Sequence, residues 1–120
     1  MQNQQNKNLR ELLAPKDEMD ECLNAWEQAV TDWREAAERF AEVETTFKAW
    51  EAARKAAYMA AKVSAVQSEA KVRSEQGWSD RYLESQKANI AAETAKRIMR
   101  LAEARWQSEQ TRQVSLRNLR

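Results

Sequence analysis

The sequence predicts an all-α protein, an antiparallel helical hairpin of coiled-coil type that dimerises into a four-helix bundle. Three observations carry that prediction. The 120 residues include one Gly and one Pro, and 32% are charged; the rest is rich in Ala, Gln and Leu, which with Glu, Arg and Lys lose little side-chain freedom in a helix. Aromatic residues recur every seven positions in Trp26, Trp33, Phe40 and Phe47, with Trp50 closing the series. Two broad apolar zones, 49–66 and 88–105, come opposite one another if the chain folds back at Gly77. Agreement between turn position and apolar pattern is what a single specified fold requires.

Residues 1–14 open with an Asn/Gln-rich stretch that has little to bury, which predicts a frayed tail. The single domain then spans 15–120. Helix one starts near Pro15, whose missing N–H costs nothing in a first turn, and Asp17, Glu18, Asp20 and Glu21 favour the positive end of the helix dipole. No Gly or Pro follows until Gly77, so this helix is expected to run to about residue 75, a rod of about 90 Å at 1.5 Å per residue. Gly77 suits the left-handed position beyond a helix end, which puts the turn at about 76–79. Ser79 is the expected cap of helix two, about 80–116.

With Trp26 at heptad position a, Met19, Trp33, Phe40 and Phe47 also fall at a, while Cys22, Ala29, Ala36, Val43 and Trp50 fall at d. Large side chains thus alternate with small ones along one seam, the pattern of knobs-into-holes pairing. Folding at Gly77 sets Arg34 opposite Arg120, the last residue, so the first part of helix one has no partner from helix two. Met19, Leu23, Trp26, Val30 and Trp33 would then be bare, and tryptophans that bury roughly 150–250 Å² each are too costly to leave in water. Met19, Leu23, Trp26, Val30, Trp33, Phe40, Phe47 and Trp50 are therefore the expected protein interface. A second copy, a different protein, or a break near Glu44–Thr46 that makes a three-helix bundle would each cover them.

Charge is split along the chain: residues 1–60 carry 8 basic and 12 acidic side chains, residues 61–120 carry 12 and 7. Opposite halves favour side-by-side pairing within the chain and between copies. The basic end of helix two offers Arg105, Arg112, Arg117 and Arg120 as nucleic-acid contacts, the alternative to a protein partner. These cations scatter around the helix, and the acidic neighbours of the aromatics argue against base stacking. No His is present and Cys22 is the one cysteine, which removes the commonest general base, Cys-based zinc sites and an intrachain disulfide. The expectation is a non-enzymatic chain with no cofactor, metal or small-molecule substrate. No apolar run approaches the roughly 18 residues that span a bilayer, so a cytoplasmic protein without membrane contact is expected.

The stretch KVRSEQGWSDRYLESQKANIAAETAKRIMRLAEARWQSEQTRQVSLR resembles the later half of small helical accessory proteins of temperate bacteriophages, which often reads as a Lys/Glu-Gly turn, a capping Ser or Thr, and a long Ala/Glu/Arg helix ending in a Ser/Leu/Arg tail. The likeness covers roughly residues 60–118. It implies a non-enzymatic factor acting near recombination, or an inhibitor of a host complex, in the host cytoplasm. Secreted hairpins of the WXG type do not fit, because the order here is Gly77-Trp78 and no Tyr-x-x-x-Asp/Glu signal ends the chain.

Overall fold

The computed structural model describes residues 2–119, with side chains from Glu18 to Leu119. Among these residues the chain is all-α, with three helices: α1 Gln2–Ala60, α2 Ala65–Arg73 and α3 Gln76–Asn118. Two compact units are built from them, Met1–Trp33 with Ala95–Arg120 (the terminal unit) and Arg34–Thr94 (the corner unit). Helix one was expected to start near Pro15 after a frayed tail over 1–14, whereas the backbone element α1 is bounded at Gln2 and runs through Pro15.

The helix expected to run unbroken from about 15 to 75 is divided, and the two-helix hairpin becomes three helices. The division is not at Glu44–Thr46, which α1 passes through, but at 61–64. Lys62 adopts a left-handed backbone with φ 68°. Its N–H donates to the carbonyl of Met59 at 3.0 Å, and the N–H of Val63 donates to the carbonyl of Tyr58 at 3.2 Å. Those two bonds are the Schellman pattern, closed here by a lysine where glycine is usual. Ser64 then caps α2, its side chain accepting from the Gln67 N–H at 3.3 Å.

The second turn is also displaced. Gly77, expected in a left-handed turn, has no positive φ and sits in the first turn of α3. The chain turns instead at Ser74 and Glu75: Ser74 ends α2 with φ −84° and ψ −9°, and the carbonyl of Glu75 accepts from the N–H groups of Trp78 and Ser79. Ser79 is consequently inside α3 rather than its cap. What Gly77 supplies is close approach: a Cβ there would stand 3.2 Å from Cζ2 of Trp50 and 3.0 Å from Nη1 of Arg81.

These two changes reset the register. Folding at Gly77 set Trp50 opposite Ala104, whereas in the corner unit Trp50 meets Gly77 and Arg81. Phe47 meets Trp78 and Tyr82, and Arg39 lies 3.9 Å from Glu84, so α1 and α3 are antiparallel there. In the terminal unit Trp26 stacks on Trp106, ring centroids 5.0 Å apart, and Glu18 pairs with Arg112. The two helices are antiparallel here too. The unpartnered overhang expected before Arg34 is therefore absent, because α3 has 43 residues and starts beside Trp50 rather than beyond residue 79.

Small residues form the cores. Cys22 and Ala29 are 5% and 4% exposed in the terminal unit, both on the small side of the predicted seam. In the corner unit Val72 (1%) and Ser68 (0%) of α2 are joined by Ser85, Ala88 and Ala92 of α3. Short side chains let helix axes approach closely while the aromatics fill the flanks.

One polar cluster fastens the corner unit. The Glu75 carboxylate, at the start of α3, accepts from Arg54 Nη2 at 2.6 Å, from Arg54 Nε at 3.1 Å and from the Tyr58 hydroxyl at 2.6 Å. Arg54 first, then Tyr58, hold the Glu75 carboxyl below the usual glutamate range. Its pKa is lower folded than unfolded, so the cluster stabilises above the unfolded value and that contribution is lost as pH falls through the folded one. Glu69 and Glu109 are lowered likewise, mainly by Lys55 and Arg112. Melting temperature should fall on acidification from pH 7 to pH 3. Glu75→Gln should melt lower at pH 7 and show a smaller acid-induced drop; an equal drop in both chains would remove Glu75 from this role.

Candidate interaction faces

The expected aromatic interface is spent largely inside the chain. Each of Met19, Leu23, Trp26, Val30, Trp33, Phe40, Phe47 and Trp50 is half-buried within its own unit. Trp26 lies against Trp106, with 26° between the ring planes. Phe47 tilts against Trp78 and Tyr82, whose rings stack on each other at 4.9 Å. The Trp78 indole N–H donates to Glu51 at 2.8 Å. The Arg81 guanidinium lies 4.4 Å from the Trp50 ring centroid and donates to the carbonyl of Gly77, which fixes the cation over the ring. Such ring pairs contribute about 0.5–1.5 kcal/mol each beyond the area they bury.

The basic residues are dispersed. Arg112 is held by Glu109, with Arg112 Nη2 to Glu109 Oε1 at 2.7 Å, and by Glu18 of α1. Arg105 is exposed, and Arg117 is exposed beside a cleft shared with Met19, Gln110 and Val114. Arg120 lies outside the described residues.

The residues left open by the fold are ones the sequence pattern placed inside. Ile90, Ile98 and Leu101 belong to the apolar zone expected to face 49–66, yet they are 63%, 55% and 72% exposed. In the corner unit, Leu83 and Ile90 are seven residues apart on the α3 face opposite Ser85, Ala88 and Ala92, at 100° per residue. In the terminal unit, Leu101 points away from half-buried Ala102 and from Trp106. On α1 the matching zone is open as well: Ala49, Ala52, Ala53 and Ala56 are all exposed. The signal was present in the sequence as the seven-residue step from Leu83 to Ile90. It was obscured because the zone is apolar nearly all round the helix, and only the alanines entered the core.

An opening of the corner unit beside the seam, about 230 Å³, is lined by Val43, Phe47, Glu42, Glu84 and Arg81. Among the described residues, no group of three or more Asp, Glu or Cys could hold a metal ion, and no helix is long and apolar enough to cross a membrane. No family model, no curated protein and no solved structure matches the chain.

Proposed function

We propose that this is a non-catalytic helical interaction protein, which binds another protein through the outer face of α3 rather than through the aromatic seam. The observation that carries this reading is the exposure of Leu83 and Ile90, 56% and 63%, on the face opposite the buried side of α3. Large aliphatic side chains two helical turns apart on a regular helix offer the anchors that a partner helix engages by laying its own apolar stripe alongside. Isolated exposed apolar residues are ordinary on any protein surface; a pair repeated at heptad spacing on one helix face forms a stripe. An accessory factor or inhibitor of a host complex acting in the cytoplasm fits such a surface. The nucleic-acid alternative draws no support from Arg112, whose charge is already met by Glu109 and Glu18.

The test is comparative capture. Full-length chain and its Leu83→Ser/Ile90→Ser variant, matched for melting temperature, are used as bait and the bound proteins identified by mass spectrometry. A partner retained by the parent and lost by the variant supports the reading. A partner retained equally by both, or lost only when Trp26 or Phe47 is changed, would return the interface to the aromatic seam.

A further inference from the structure

The terminal unit separates charge between its two helices to a degree the corner unit does not. Its α1 stretch from Glu18 to Trp33 carries Glu18, Asp20, Glu21, Glu27 and Asp32 without a Lys or Arg, whereas its α3 stretch is dominated by Arg and Lys. These opposite charges do not neutralise each other across the unit. Glu18 to Arg112 is the one ion pair between the two helices among its described residues.

Exposed charges of both signs occupy outer faces. Asp20 and Glu27 are seven residues apart, both exposed, on the side of α1 turned away from buried Cys22 and Ala29. Arg97, Leu101 and Arg105 follow one another at four-residue steps, all exposed, along an arc of α3 centred on Leu101, about 140° around the helix from Trp106. At 1.5 Å rise per residue the two carboxylates are spaced about 10 Å along their axis and the two guanidinium groups about 12 Å. The spacings match closely enough for two simultaneous ion pairs between antiparallel helices, Asp20 with Arg105 and Glu27 with Arg97, and Leu101 would be sheltered between them.

We infer that the occupant of this face is a second copy of the chain, the outer face of α3 in one copy docking on the outer face of α1 in the next. This inference rests on the reading of the outer face of α3 as a docking surface and names its partner in the terminal unit. The acidic face belongs to α1 and the basic face to α3, so the contact joins different surfaces of the two copies and is heterologous. Each added copy leaves one acidic and one basic face open, so assembly continues past a dimer as concentration rises. Complementary charge gives the contact its register and its salt dependence.

The experiment is sedimentation velocity on the full-length chain from 1 to about 200 µM in low and high salt, with two charge-reversed variants, Arg97→Glu/Arg105→Glu and Asp20→Lys/Glu27→Lys. The parent should show a mass that rises with concentration and falls back about tenfold in apparent affinity in high salt. Each variant alone presents two faces of like charge and should remain monomeric. Their equimolar mixture restores opposite faces and should associate again, an outcome that poor folding of either variant cannot produce. A parent that stays monomeric at every concentration, variants that associate like the parent, or a mixture that stays monomeric would overturn the inference. Capture of a different protein that depends on Leu83 and Ile90 would in that event still stand.

Discussion

Replacing Val72 by Asp should cost the chain about 3 kcal/mol or more, a large share of what a domain of this size has to lose. Val72 is 1% exposed, the larger of the two most fully buried side chains, and it sits on α2 beside the α1 stretch that includes Glu51 and Ala52. A carboxylate there would be stripped of water, and because the adjoining opening carries both signs, Lys48, Lys55 and Arg73 beside Glu51 and Glu69, desolvation rather than repulsion carries the cost. Val72→Ala provides the control, at about 1–2 kcal/mol for the lost methyl groups and the space they leave. Denaturant unfolding followed by helical circular dichroism measures both. A Val72→Asp chain as stable as Val72→Ala would mean that α2 does not close the corner unit.

Trp106→Ala should cost about 3 kcal/mol, whereas Trp106→Phe should cost less than about 1 kcal/mol. The difference isolates the role of the ring from that of its polar atom. The Trp106 ring supplies the stacking partner of Trp26 at 5.0 Å. Its Nε1 is buried and has no hydrogen-bond acceptor among the described residues, a situation that itself carries a penalty. Phenylalanine keeps a ring against Trp26 and removes the unpaired donor, so part of the lost contact is offset. Near-UV circular dichroism of the tryptophan pair, read with thermal melts, checks the assignment. Equal stability of the Ala variant and the parent would show that α3 does not cover Trp26.

Helix content and the seam were legible from residue types alone, because the rule that puts Cys22 and Ala29 opposite the large a positions is local periodicity, and both are buried. The path of the chain was less legible. The end of helix one was assigned from Gly77, and neither observed turn holds a glycine in the left-handed position. Lys62 takes the left-handed position without the sequence marker that would reveal it. The only local sign was Ser64 three residues before Gln67, a capping pattern in the midst of a strongly helical run. Gly77 was read as a turn residue when its missing side chain serves the packing of Trp50.

That single misassigned corner propagated. Moving the turn from Gly77 to the two sites at 61–64 and 74–75 shifts every cross-helix pair, brings Trp106 to Trp26, and removes the reason for an overhang. It also turns Ile90 and Leu101 outward, where a register based on total apolar content had placed them inside. Periodicity identifies faces of a helix, but which face meets which neighbour depends on where the chain bends. On the reading proposed above, the interaction surface lies on exposed aliphatic side chains of α3 rather than on the large aromatics, which are half-buried within their own units.

The chain's own α3 packs against the aromatic seam, and on the proposal above association runs through outer faces. Covalent footprinting of the full-length chain in dilute and concentrated solution tests it directly. Trp26 and Phe47 should label weakly at both concentrations, and Leu101 should label strongly when dilute and lose that label on concentration. Strong labelling of Trp26 and Phe47 in dilute protein, followed by their protection on concentration with Leu101 unchanged, would contradict the account.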